Sequence, residues 1–125
     1  MTGTQEAQLT IALKEALNNS QILKELDATI PKIWAFDHNP ADLLRYMSEF
    51  FSVEGALDAL DGVAVHDYYG ALSEMQRLEK VYFEGTDKTI HLTERSVWGT
   101  EGANRIIDYY RNGAISYNFM GNHAR

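Results

Sequence analysis

Cysteine is absent from the 125-residue chain. Its absence excludes a disulfide scaffold, a thiolate nucleophile and a zinc site built on sulfur. Proline is scarce, with only Pro31 and Pro40. No Pro/Gly/Ser-rich linker, repeat or low-complexity tract divides the chain, so one domain over residues 1–125 is expected. No apolar run approaches the roughly 20 residues that a membrane span requires. The opening Met1–Glu6 has neither the basic flank nor the apolar stretch of a signal peptide. Basic residues are few and scattered, 11 Lys and Arg against 18 Asp and Glu for a net charge of −7. Nucleic-acid binding needs clustered cations that displace counterions from phosphates, so it is disfavoured. These absences together lead to the expectation of a soluble, acidic, cytoplasmic protein.

What is present is ordinary for a globular domain, 45 % apolar and 23 % charged residues. The acid is uneven. Residues 1–62 hold four Lys or Arg against ten Asp or Glu, while the remainder holds seven against eight. Between Asp37 and Asp61, Arg45 is the one base among six carboxylates: Asp37, Asp42, Glu49, Glu54, Asp58 and Asp61. Such a segment is either a solvated face or a surface steered towards a basic partner.

The first half reads as helices. Leu9, Leu13, Ala16 and Leu17 recur at helical spacing, and Asn18-Asn19 ends that element. Ser20 can cap a second helix carrying Leu23, Leu26 and Ile30, closed by Pro31. Ile33–Phe36 is short and apolar, a buried strand or a helix tail. Asn39, Pro40 and Asp42 form a helix start signal ahead of a Leu43, Met47 and Phe50 stripe. Ser52 can cap a short helix reaching Gly62. Val63–Val65 is a brief extended segment or connector. Asp67 can cap a longer helix with Tyr68, Leu72, Met75 and Leu78 inward.

The second half changes period. Val81 and Phe83 alternate with polar neighbours, and Thr89–Trp98 alternates again. Asn112-Gly113 between β-rich flanks is a strong hairpin signal, although residues 101–112 also fit a helix ended by Gly113. The hairpin reading gives an α+β fold: four or five N-terminal helices packed on one face of a C-terminal antiparallel sheet of three or four strands. The helices-then-sheet order with a terminal hairpin resembles the cone-shaped domains of the NTF2-like superfamily. That resemblance implies an enclosed pocket for a small hydrophobic molecule.

In that hairpin one face shows Ile106, Asp108, Tyr110, Ile115, Tyr117 and Phe119. Asp108 would then lie inward among aromatics, where burial tunes a carboxylate for proton transfer. Tyr117 and His91 are candidates to polarise a substrate oxygen, and Tyr110, Phe119, Arg95 and Trp98 to contact a ligand. The four histidines, His38, His66, His91 and His123, show no metal-ligand spacing. No phosphate loop or nucleophile elbow occurs, so neither a metal nor a cofactor is expected.

Two functions follow from different features. One is a non-enzymatic interaction or regulatory protein that offers its acidic helical surface, the six carboxylates between Asp37 and Asp61, to a basic macromolecular partner. The other is a small-molecule pocket protein or enzyme with Asp108 in the pocket. A homodimer through an exposed sheet face or edge is compatible with either.

Overall fold

The computed structural model describes residues 1–119, with Phe119 described for its backbone alone; Met120 and His123 lie outside the described residues. Four strands form one sheet: β1 (Trp34–His38), β2 (Gly62–His66), β3 (Thr89–Arg95) and β4 (Ala114–Phe119). They lie in chain order and every neighbouring pair is parallel. The expected antiparallel sheet is therefore corrected, and with it the NTF2-like cone. Helices and strands both contribute, as the α+β expectation held, but they alternate along the second half of the chain.

The correction turns on residues 99–111. The expected first arm of a hairpin is the helix α6 (Gly99–Arg111). Gly102, Ile106 and Tyr109 form its inward side, a helical spacing that crosses the alternation read from the sequence. A two-residue hairpin turn of the Asn-Gly type needs positive φ at both positions. Here Asn112 has φ −98° and only Gly113 is positive, at +96°. Gly113 ends a helix and lets the chain enter β4 parallel to β3.

Each crossover between parallel strands is helical, as parallel pairing requires. Helices α3 (Leu43–Phe51) and α4 (Ala56–Ala59) join β1 to β2, α5 (Ser73–Leu78) joins β2 to β3, and α6 joins β3 to β4. Leu43, Met47 and Phe50 are buried on α3, as their spacing requires. Helix α5 starts at Ser73, so Asp67 does not cap it. It continues through wider turns over Glu79–Phe83, so Val81 and Phe83 are helical rather than extended.

Two helices precede β1. Helix α1 (Gly3–Asn18) opens with a capping box between Thr2 and Gln5. It buries Gly3, Ala7 and Thr10, leaving Leu9 and Leu13 exposed, a different side from the one expected. Ser20 caps α2 (Gln21–Glu25) through Leu23 N–H, but that helix is short and Ile22 and Leu26 stay in solvent.

The core lies between the helices and one face of the sheet. Ala35, Val63, Val65, Ile90, Leu92 and Ala114 meet Met47, Phe50, Met75, Leu78 and Tyr109 there. Sequential strand order puts consecutive crossovers of one hand on the same side. This is the winding of a (β/α) barrel wall; a doubly wound sheet reverses its order. Among the described residues no helix is long and apolar enough to cross a membrane.

Candidate functional site at the carboxyl ends of the strands

In parallel α/β folds the loops after the strands build the binding site. Polar residues collect at that edge here: Asp37 and His38 after β1, His66 and Asp67 after β2, and Thr93, Glu94 and Arg95 at the end of β3.

His66 is the centre of the group. Its Nε2 lies 3.0 Å from Asp37 Oδ1 and 3.2 Å from Glu94 Oε2. A carboxylate only accepts, so the Nε2 proton is shared between two acids from two flanking strands. Thr93 Oγ1 donates to the same Asp37 oxygen at 2.8 Å. Tyr68 Oη donates to Glu94 Oε1 at 3.2 Å. Desolvation, followed by that hydrogen bond and the negative charge of Glu94, raises the Tyr68 pKa above the usual phenol value. Both oxygens of Glu94 are thus held, while its side chain keeps 35 % of its exposure.

The backbone bends to make this arrangement. Phe36 and Asp37 have φ values of +78° and +41°, and the pairing of β1 with β2 slips between Phe36 and His38. Consecutive non-glycine residues in the left-handed region are strained. The bulge turns Phe36 onto Tyr46 of α3, ring centroids 5.4 Å apart, and leaves Asp37 to face His66 and Thr93. A second slip, after Val65, pairs His66 with Glu94 rather than with Thr93. Asn39 Oδ1 then accepts from the N–H groups of Tyr68 and Tyr69, tying the loop after β1 to the loop after β2.

A buried support lies behind the group. Asp67, 5 % exposed, takes Arg105 Nε at 2.7 Å and Nη2 at 2.6 Å, and Tyr109 Oη at 2.6 Å. Burial, and then the bond to Asp67, raises the Tyr109 pKa well above the phenol range. This fork anchors α6 to the end of β2.

The expected site residues are dispersed. Asp108 stands on α6 with 45 % of its side chain exposed, 3.8 Å from Arg111 Nη1. It is not on an inward sheet face, and the proposed Asp108 pocket is corrected. Tyr110 is exposed on the same helix. Tyr117 faces the helices, packs on Tyr109 and donates to the Arg95 carbonyl at 2.5 Å. His91 lies on the sheet face away from the helices rather than inward beside Asp108, between Thr89 Oγ1 at 2.8 Å and Ser116 Oγ at 2.7 Å, and burial lowers its pKa. Arg95 and Trp98 line a cavity beside the group. The side chain of Phe119 lies outside the described residues.

The six acids expected to form one partner surface occupy separate places. Asp37 belongs to the His66 group, and Asp42 pairs with Arg45. Glu49 accepts from Thr4, and Asp61 is held by Lys14 and Ile33 N–H. Glu54 and Asp58 are exposed near α4. Sequence reasoning missed His66, Tyr68, Thr93 and Glu94 as a group. The available signal was polar residues directly following the apolar run Val63–Val65 and the alternating pair Ile90 and Leu92.

The fold class is thus a parallel sheet wound in sequence with helices on one side. Solved structures that share it include two larger proteins. The endo-beta1,6-glucanase BT3312 aligns with a TM-score of 0.63 and 22% identity, over 94% of this chain and 29% of that one. SrfJ from Salmonella typhimurium aligns with a TM-score of 0.60 and 19% identity, over 84% of this chain and 26% of that one. The chain therefore spans less than a third of either protein. No family model matches the sequence, and no curated protein does.

Proposed function

We propose that the chain carries part of a glycoside-hydrolysing site, with Glu94 as the carboxylate that faces the sugar. The observation that carries this reading is Glu94 itself. It is the penultimate residue of β3 at the carboxyl edge of a parallel sheet, both its oxygens are held, and it stays open to solvent. The similarity in fold to a glucanase supports the choice of substrate class.

Glycoside cleavage passes through an oxocarbenium-like transition state, and a fixed carboxylate stabilises that cation or attacks it. The hydrogen bonds from Tyr68 and His66 restrict the rotamers of Glu94, so little orientation is lost when the sugar binds. Asp37 has a different task. It accepts from Thr93 and His66, and so fixes the imidazole that in turn fixes Glu94.

The test is release of reducing sugar from a β-1,6-linked glucan, with Glu94→Gln as the central variant. Loss of a nucleophilic or charge-stabilising carboxylate lowers turnover by roughly a thousandfold or more, with unchanged circular dichroism and thermal midpoint. A fluorinated glycoside that traps a covalent intermediate should label Glu94, read by peptide mass. Full activity in Glu94→Gln, or neither binding nor cleavage of neutral and acidic glycans by the unaltered protein, overturns the reading.

A further inference from the structure

A cavity of about 280 Å3 opens beside Glu94, between the loop leaving β3 and the first turns of α6. Arg95, Trp98, Glu101, Gly102 and Arg105 line it. The sugar-facing group proposed above uses none of them.

Arg95 is the unusual member. Its Nε is buried and has no hydrogen-bond partner among the described residues. A buried guanidinium N–H left unpaired is costly, and native structures rarely keep one without a use. The guanidinium carbon lies 5.2 Å from the Tyr68 ring centroid. That cation–π contact holds the planar fork in place. Arg105 differs, because its Nε and one terminal nitrogen are spent on Asp67. It adds positive potential but fewer free donors.

The helix contributes as well. Helix α6 has 13 residues, its N-cap is Trp98, and among the described residues no side-chain cap bond closes its first turn. Glu101 and Gly102 of its first turn line the cavity, which puts the positive end of the helix dipole beside it, while the Gly102 N–H itself donates to the Trp98 carbonyl at 2.8 Å. Glu101 acts in the opposite sense, placing one carboxylate on the same cavity.

We propose that this cavity is an oxyanion subsite that takes a carboxylate or sulfate group against Arg95. The group would be a substituent of the saccharide that Glu94 faces, which makes the preferred substrate an acidic sugar chain. That last identity rests on the glycoside reading; binding of the oxyanion does not. A neutral glucan would leave the Arg95 donor unpaired, whereas an acidic substituent beside the reacting sugar would satisfy it. Bidentate pairing with a planar carboxylate suits arginine more than lysine.

The experiment is a titration of the whole chain, followed through the Arg95 Nε–H resonance, at ionic strength held constant with sodium chloride. The probes are sodium sulfate, sodium glucuronate, glucuronate methyl ester and glucose. Saturable shifts with sulfate and glucuronate, and none with the ester or glucose, are expected. Arg95→Gln should weaken both anions about tenfold, and Arg95→Lys should recover sulfate better than glucuronate. Glu101→Gln should tighten both by removing the opposing charge. The thermal midpoint of each variant reports whether it remains folded.

No shift beyond that of chloride, or equal affinities in Arg95→Gln, overturns the subsite. Sulfate binding without glucuronate binding overturns the acidic-sugar assignment. Glu94→Gln separates the two proposals: it should still bind glucuronate, somewhat more tightly because one nearby negative charge is lost, while glycan turnover falls. Retained turnover with retained glucuronate binding overturns the glycoside reading alone, and lost glucuronate binding overturns the subsite.

Discussion

The ring of Trp34 lies flat against that of His91, with centroids 3.6 Å apart and planes 15° from parallel, although a whole strand runs between them. Trp34 is on β1 and His91 on β3; between them, β2 presents Gly62 and Ala64 in register. Small residues on the middle strand let two large rings meet above it. A Cβ on Gly62 would stand 2.5 Å from the Thr89 carbonyl oxygen and 3.0 Å from its hydroxyl. Gly62→Ala should therefore force β2 and β3 apart and destabilise the chain by about 1–3 kcal/mol. Urea unfolding would show the lower midpoint. A midpoint equal to that of the unaltered protein would mean that the strands separate at no cost.

His91 links this stack to pH. Burial, and then the positive charge of Lys32, lowers its pKa below the usual imidazole value. The native protein thus resists protonating His91, while the unfolded chain takes up the proton near pH 6.5. The unfolded state binds more protons below that point, so stability is full above it and falls as the pH drops towards 5. Replacing His91 with Gln should flatten that part of the stability curve, measured by denaturant unfolding at a series of pH values between 5 and 8. Identical slopes in the two proteins would assign the acid sensitivity to another group.

How much of this was legible in the sequence differs by element. The stripe of Leu43, Met47 and Phe50 and the alternation over Thr89–Trp98 state their periods locally; the first formed a helix that starts at Leu43 after a tighter turn at Pro40–Asp42, the second a strand that stops at Arg95. Strand direction is not written in a period of two. It follows from the helix-length stretches separating the apolar runs, which only parallel pairing needs. Asn112-Gly113 carries a hairpin signal of purely local origin. It was outweighed by the burial of Tyr109 and by the fork of Arg105 on Asp67, partners 38 residues apart in the chain. The site shares that difficulty. Asp37, His66 and Glu94 are ordinary polar residues until parallel, in-order strands place their carboxyl ends side by side. Asp108 looked inward only on the assumption that its segment was extended.

The same fork can be tested through stability. Asp67 is nearly fully buried and serves three donors on two residues of α6. Asp67→Asn keeps the shape but leaves the Arg105 guanidinium beside an uncharged partner. Breaking a buried pair from one side costs about 3–5 kcal/mol, a figure to be reduced here because 40 % of the Arg105 side chain reaches solvent. Tyr109→Phe removes one hydrogen bond and should cost about 1 kcal/mol. Because both act on one network, the double variant should lose less than the two separate losses combined. Strict additivity in chemical denaturation would show that the Arg105 fork and the Tyr109 bond to Asp67 are independent.

The bulge at Phe36 permits a comparison in which the usual order of two residues reverses. In a regular strand glycine is less stable than alanine by about 0.5–1 kcal/mol, because it loses more chain entropy on folding. At Phe36 the φ of +78° penalises any residue with a Cβ. Phe36→Ala and Phe36→Gly both remove the ring that packs on Tyr46, so they lose the same contact and differ only in backbone. Phe36→Gly should then be the more stable of the two, by about 1 kcal/mol. Both should fall below the unaltered protein because of the lost aromatic packing. The two thermal midpoints decide the matter. If alanine proves the more stable, the segment has relaxed into an ordinary strand. Asp37 would then turn away from His66, and the His66 Nε2 proton should show an altered chemical shift in the same sample.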